Sequence, residues 1–344
     1  MNRHRMQAFV LSRYGGPDAM ELREIPIPVP DEGELRVRVM AAGLNPVDYK
    51  LREGGLRLIN RIDLPVVGGF ELAGVVEALG PDVRRFDVGD RVYARVDTAL
   101  LGAFAEHAVV HEDFAAVMPR SLNYAQAASL PLAGLTALQA LRDELHVGPG
   151  TKLFISAGAG GVGTLAIQLA KYFGADVTTT ASPKGEDLVR QLGADVVVDY
   201  TAGDFAAGLG GFDAALDLVG GETLERTLGI VKPGGSVVSI AGVPEPQTAV
   251  KDLEESAWVT AIFWTMSMSI RRKARAAGIR YRYLFMHPSG ADLRQLAKLV
   301  AEGSLKPVID STYPLERIAD AFIALEAGHA KGKIVVTMEG HRTM

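Results

Sequence analysis

The stretch Lys152-Leu153-Phe154-Ile155-Ser156-Ala157-Gly158-Ala159-Gly160-Gly161-Val162-Gly163-Thr164 decides the fold of this chain. The apolar run Lys152–Ser156 reads as a strand. Val162–Phe173 reads as a helix, with apolar residues at helical spacing and Gly174 closing it. Between them Gly158, Gly160 and Gly163 satisfy G-x-G-x-x-G. In a chain with 38 glycines the spacing alone says little. The strand before it and the helix after it make it specific. Small residues are needed there so that a pyrophosphate can approach the backbone, where unpaired N–H groups and the helix dipole favour an anion. Gly158, Gly160, Gly161, Val162 and Gly163 are therefore the candidate cradle of a dinucleotide.

Downstream the pattern alternates. Ala175–Thr180 reads as strand, the region around Asp187–Leu192 as helix, and Val196–Asp199 and Ala214–Val219 as strands. A helix near Thr223–Val231 and a strand Ser236–Ile240 follow. Such an order predicts an α/β fold with a doubly wound parallel sheet. Upstream, Gln7–Leu11, Leu35–Val39, Leu72–Leu79, Arg91–Ala94 and Phe104–Val110 read as short strands. Ile25–Pro30 holds three prolines, which suits an edge or a connection. Ala125–Leu141 has helical spacing interrupted at Pro131. After Pro307 short elements return, ending in a strand Lys333–Met338. The expected organisation is a β-rich domain over 1–127 completed by about 305–344, with a dinucleotide domain over 128–304 that carries an apolar and basic insertion at about 250–287.

The 344 residues are 48% apolar and 22% charged, with a net charge of −5 and no cysteine. That composition is ordinary for a folded domain pair. Lacking cysteine, the chain has no disulfide, no Cys-ligated zinc or iron–sulfur cluster and no thiol nucleophile. Mild acidity argues against a nucleic-acid coat. Arg3, His4 and Arg5 are followed by a strand-like run and not by a signal-peptide core. The apolar stretch Ser256–Ile270 falls short of the roughly 20 residues a membrane-spanning helix needs. These features predict a cytoplasmic protein without a membrane span.

The residue about 20 positions beyond the glycines normally selects the dinucleotide, an acid there binding the ribose 2′-OH of NAD. Here the second strand ends Thr178-Thr179-Thr180-Ala181-Ser182, without an acid. Ser182 and Lys184 offer a hydroxyl and a cation to a 2′-phosphate, and Tyr200 follows the next strand. NADPH is the expected cofactor.

An ordered set of further matches runs through nearly the whole chain: Ala42-Gly43-Leu44-Asn45-Pro46-Val47-Asp48, Pro65 with Ala73-Gly74-Val75-Val76, Val88-Gly89-Asp90-Arg91-Val92, Leu130-Pro131-Leu132-Ala133, Leu192-Gly193-Ala194-Asp195 and Lys232-Pro233-Gly234-Gly235. With these, the sequence resembles the medium-chain dehydrogenase/reductase superfamily. The resemblance implies a GroES-like catalytic domain and a Rossmann domain, with NAD(P)H and substrate in the cleft between them, and a homodimer. Zinc dehydrogenases of that superfamily carry cysteine where this chain has Asn45 and histidine where it has Phe70. The chain instead resembles the zinc-free quinone oxidoreductases of the zeta-crystallin type and the alkenal/one reductases. Leu325 through Val336, Asn45 through Lys50, and Val198-Asp199-Tyr200 fit the latter especially well. Two departures stand out: the usual tyrosine after Asn45 falls at Lys50, with Tyr49 just before it, and the usual phosphate lysine falls at Gly185, one place after Lys184. By resemblance Thr136 and Lys333 reach the cofactor; as bare sequence they read as a helix threonine and a strand lysine. Gly242 follows a strand at the carboxyl edge, where nicotinamide lies in such sheets.

Hydride transfer asks the protein to hold the cofactor against an electron-poor carbon and to exclude water. A conjugated enone or quinone suits a site without a Lewis acid, since negative charge spreads onto its carbonyl oxygen. Asn45, Tyr49 and Lys50 are the candidate donors to that oxygen, with the proton coming from Tyr49, Lys50 or water. Asn45 also reads as a turn residue before Pro46. The expected activity is NADPH-dependent reduction of quinones or of the C=C bond of α,β-unsaturated carbonyls; the alternative is an NADPH-binding protein with little turnover. Ser256–Ile270, with Trp258 and Trp264, precedes Arg271, Arg272, Lys273, Arg275, Arg280 and Arg282. That segment reads first as an apolar lid and subunit contact with a solvated basic run. An interfacial lipid-binding helix and a nucleic-acid patch using Tyr281 and Tyr283 are the other readings.

Overall fold

The computed structural model describes residues 4–57, 62–97, 101–253 and 257–338; Arg3 and Ser256 lie outside the described residues. The chain divides into two compact units, one formed by Met1–Leu135 with Pro288–Met344 and the other by Thr136–His287.

The strands β1 (Arg5–Leu11), β2 (Met20–Pro26), β3 (Glu34–Leu44), β4 (Val66–Val67), β5 (Glu71–Leu79), β6 (Arg91–Arg95), β7 (His107–His111) and β8 (Ala115–Val117) come first. The prolines of Ile25–Pro30 fall at the end of β2, an edge strand in the order β2-β1-β4, where a missing N–H costs no ladder bond. The alternation at Leu35, Val37 and Val39 is the middle of β3, with all three side chains buried and Arg36 and Arg38 on the other face. Phe322 packs edge-on against Phe104, with ring centres 6.0 Å apart, in the core of this unit. The helical stretch after Asn123 breaks where Pro131 predicts. One helix ends at Ala128 and another starts with Pro131 itself, the position that needs no N–H.

The second unit contains β9 (Lys152–Ile155), β10 (Asp176–Ala181), β11 (Val196–Asp199), β12 (Phe212–Asp217), β13 (Val231–Ser239) and β14 (Arg280–Tyr283). They form one sheet in the order β11-β10-β9-β12-β13-β14, parallel throughout. Sequence order reverses between β9 and β12, which is the switch point of a doubly wound sheet. The register pairs Thr179 with Ile155, Ile155 with Leu216, and Asp217 with Ser239. All carboxyl ends therefore meet at one edge. Phe154 stacks on Phe205 beneath it, 5.6 Å between ring centres.

β15 (Ile309–Pro314) and β16 (Lys333–Thr337) return to the first unit. β16 pairs antiparallel with the end of β3, completing the order β15-β16-β3-β5-β6-β8, with β7 also on β3.

β14 was not expected as a strand, and it corrects the reading of the basic run as a solvated face at one residue, Arg282, while Arg272, Lys273, Arg275 and Arg280 are exposed. Arg282 points into the unit and is fully buried. Its guanidinium meets Glu245 at 2.9 Å, Asp252, Glu144 at 3.5 Å and the Thr248 hydroxyl at 2.8 Å. Arg280 also pairs with Glu144, and Lys273 with Glu225. Tyr281 donates its hydroxyl to Val243 O and accepts from Val243 N, so that hydroxyl is already engaged inside the unit. Trp258 and Trp264 stay about half exposed, at 53% and 51%.

Removing one partner of a buried pair strands the other charge at a cost of about 3–5 kcal/mol. Arg282→Met should therefore destabilise the second unit by about that amount, read as a lower urea midpoint for its unfolding.

Candidate functional site

The glycine loop leaves β9 at Ser156 and enters the helix Gly161–Tyr172 through Gly160, whose φ of −78° is ordinary. A Cβ on Gly158 would lie 2.2 Å from Thr179 Oγ1, and one on Gly163 would lie 2.4 Å from Ala157 O. These two glycines are required by packing of the loop on β10 and on itself. Gly160 is different, because its Cβ would meet only Ala157 O, at 3.3 Å. A side chain there is less crowded by the protein than at Gly158 or Gly163, asking Ala157 O to give by a few tenths of an ångström.

Within the loop, Ala157 N–H donates to Thr180 Oγ1, Gly158 N–H to Thr180 O and Gly160 N–H to Ala157 O. The helix ladder begins with Thr164 N–H to Gly160 O. Gly161, Val162 and Gly163 thus present the first-turn N–H groups that precede intrahelical bonding, and no side chain caps them. Small residues, first-turn donors and the positive end of a helix dipole fit a pyrophosphate.

At the end of β10, Ser182 is the N-cap of the helix Pro183–Gln191, with no side-chain cap bond. Gly185 packs that helix on the loop, a Cβ there lying 3.0 Å from Ala159 Cβ. A lysine at position 185 would be crowded, whereas Lys184 is exposed. β11 pairs Asp199 with Ala181, so Tyr200 comes level with Ser182. Asp199 is the acid nearest in register, and its carboxylate is bound to Thr201 N and Oγ1. Thr136 is buried within the helix Pro131–Gln139. Gly242 donates its N–H to Ser239 Oγ at 2.8 Å, and a Cβ on it would meet Tyr281 Oη at 2.7 Å.

Asn45, Tyr49 and Lys50 belong to the other unit. The helix Pro46–Arg52 starts after Asn45, whose backbone N–H is capped by Asp48 Oδ2 at 2.8 Å. The side chain of Asn45 leaves the helix: Nδ2 donates to Glu71 Oε1 at 2.8 Å, and Oδ1 accepts from Lys333. This is more than a turn residue. Lys333 Nζ also reaches Leu44 O at 2.9 Å and Glu71 Oε1 at 2.7 Å. With these three acceptors the ammonium has all three donors engaged within a buried cluster of its own unit. Glu71 Oε2 accepts from Leu132 N–H at 2.7 Å. Gly43 makes room for the carboxylate, since a Cβ there would lie 2.3 Å from Glu71 Oε1. Tyr49 is half-buried, and its phenol is held above its ordinary pKa by burial and by Glu53 and Glu326. Lys50 is exposed.

The donor set does not suit zinc. Asn45 and Phe70 stand in place of a thiolate and an imidazole, and the adjoining carboxylate Glu71 already faces an ammonium. Among the described residues no three His, Asp or Glu side chains gather as a metal site. His107 and His111 share the outward face of β7. Four residues along a strand separate them by about 13 Å.

Sequence reading missed Asp217, Ser156 and Ser239, which meet at the carboxyl edge, and the depth of Glu71 and Lys333. The signal for Asp217 was an acid closing a buried apolar strand just before Gly220-Gly221, at the edge where ligands bind.

A β-rich unit beside a dinucleotide-cradling sheet defines a nicotinamide-type oxidoreductase. Two family models match, an alcohol dehydrogenase GroES-like domain over residues 31–120 and a zinc-binding dehydrogenase domain over 192–336. The chain is 36% identical to the chloroplastic NADPH-dependent alkenal/one oxidoreductase of Arabidopsis thaliana, covering 96% of this chain and 79% of that one. It is 34% identical to the mitochondrial NAD(P)H oxidoreductase RTN4IP1 of Danio rerio, covering 97% and 91%. The solved quinone oxidoreductase from Coxiella burnetii superimposes with a TM-score of 0.85 at 32% identity, covering 97% and 100%. The chain belongs to the medium-chain dehydrogenase/reductase superfamily, in its zinc-independent quinone oxidoreductase and alkenal/one reductase branch. The expected cytoplasmic placement is corrected: the Arabidopsis and Danio relatives are named as chloroplastic and mitochondrial proteins.

Lys333→Met should cost about 3–5 kcal/mol by stranding Glu71, and adding Glu71→Gln should recover part of it, as read by urea titration. Asp48, fully buried, is pushed up to about 7 by desolvation, against the pull of Asn45 N–H and Lys333. Its folded state therefore holds a proton that the unfolded chain releases near pH 4. Stability should fall as pH rises from about 4 through about 7, and Asp48→Asn should flatten that slope in thermal melts.

Proposed function

We propose that this protein is an NADPH-dependent reductase that delivers hydride, without zinc, to quinones or to the C=C bond of α,β-unsaturated carbonyls, and that it works as a homodimer. The observation that carries the reading is the glycine cradle with its uncapped first-turn N–H groups, beside a β10 that ends without an acid. Support for NADPH comes from Ser182, Lys184 and Tyr200 at that end, and from the Arabidopsis relative's name.

NADPH, when bound, would supply the hydride. Gly161, Val162 and Gly163 would hold its pyrophosphate through first-turn N–H groups already oriented by the helix. Asn45 is fixed by Glu71 and Lys333, leaving one amide hydrogen for the oxygen on which negative charge grows. Tyr49, with its pKa raised, remains a protonated donor at neutral pH, and Tyr49, Lys50 or water would return the proton.

The test follows NADPH absorbance with a small enone and a quinone in parallel, with and without chelator, alongside binding titrations. Turnover with at least one acceptor, unaffected by chelator, is expected. NADH should bind at least about tenfold more weakly, a difference of about 1.4 kcal/mol. Gly160→Asp should melt like the parent yet lose NADPH, because its carboxylate would meet the pyrophosphate. NADH binding as tightly as NADPH would refute the cofactor preference. Bound NADPH with no oxidation by either acceptor would leave a binding protein.

A further inference from the structure

We infer that Asp217 is a positioning residue that shapes the nicotinamide half of the cofactor site, an inference that rests on the NADPH reading above. Asp217 closes β12 and is fully buried. A buried carboxylate is costly unless its oxygens are satisfied, and here the partners come from three separate loops. Oδ2 accepts from Ser239 Oγ at 2.6 Å, at the end of β13. Oδ1 accepts from Val219 N at 3.2 Å and from Ser156 Oγ at 3.4 Å, the latter at the start of the glycine loop. Both oxygens lie 3.1 Å from Gly220 N.

The two serines pass the constraint on. Ser156 Oγ accepts from Leu218 N at 2.8 Å, and Ser239 Oγ from Ala241 N at 3.2 Å and Gly242 N at 2.8 Å. The loop after β12 also abuts the loop after β13, since a Cβ on Gly220 would lie 2.3 Å from Ala241 O. One carboxylate thus holds the backbone from 218 to 220 and from 241 to 242 and ties both to the root of the cradle. The opposite half of the edge is held independently, by Thr179 Oγ1 to Ile155 O and by Ala157 N to Thr180 Oγ1. The 2′-phosphate end, at Ser182 and Tyr200, lies on that second half.

The division gives a readout that general loosening would not. In Asp217→Asn one acceptor oxygen becomes an NH2 facing Gly220 N–H or the Ser239 hydroxyl. That hydroxyl already accepts from two N–H groups and cannot reverse freely. Titration with NADPH and with 2′,5′-ADP, which lacks the nicotinamide half, should show NADPH weakened about tenfold, the equivalent of one charge-assisted hydrogen bond. 2′,5′-ADP should stay within about twofold, as expected for a site the change does not reach. Ser239→Ala, which removes one arm and leaves the carboxylate, should shift NADPH in the same direction by less and serves if the Asn variant does not fold. Equal weakening of both ligands, or unchanged NADPH binding, would overturn the role of Asp217 while leaving the cofactor reading intact. Failure of the parent protein to bind either ligand would overturn both.

Discussion

An ammonium inside a β-sheet must be neutralised where it lies, and that requirement shapes the first unit. Lys333 comes from β16, Asn45 from the end of β3 and Glu71 from the start of β5. Because β3 pairs with both neighbours, three strands must be in register for the charge to be satisfied. Gly43 is part of the same requirement, since any side chain there would displace the carboxylate. The cluster also fixes the amide of Asn45, so one arrangement of charges both completes the sheet and sets the orientation of a polar side chain.

The second unit answers a similar demand differently. Its sheet brings every parallel strand to one edge, where backbone groups run out of ladder partners and loops must turn. Buried side chains take over there: Thr179 and Thr180 on one side, Asp217 with two serines on the other. At the far edge Arg282 gathers three carboxylates. Such a network costs desolvation and returns a defined geometry, which suits loops that have to receive a ligand without rearranging.

Much of this was legible in the sequence, for local reasons. The glycine spacing, the helix behind it and the alternation in β3 are set by residues within a turn or two of one another. The partnerships that matter most are not local. Lys333 and Glu71 are 262 positions apart, and Lys333-Ile334-Val335-Val336 gives no hint that the lysine faces inward. Arg282 looked like one more solvated cation because the acids that enclose it come from positions 144, 245 and 252. The alternation Arg280-Tyr281-Arg282-Tyr283 was a strand signal, obscured by the run of charge before it. Asp217 stood at a legible place, but which loops it would bind depends on register between strands, and periodicity within one strand does not report that.

The division of the chain also sets the order in which it can fold during synthesis. Residues 136–287 are contiguous, with a low separation between most paired strands, and can close as soon as they leave the ribosome. The other unit cannot. Until β16 emerges, the carboxyl half of β3 has no neighbour on one side, and Glu71 lacks its ion pair with Lys333. For most of translation the nascent chain therefore carries an open sheet edge, the kind of surface that recruits other strands. β16 thus acts as a lock on strands made almost 300 residues earlier, so the first unit can close only after the second has been synthesised.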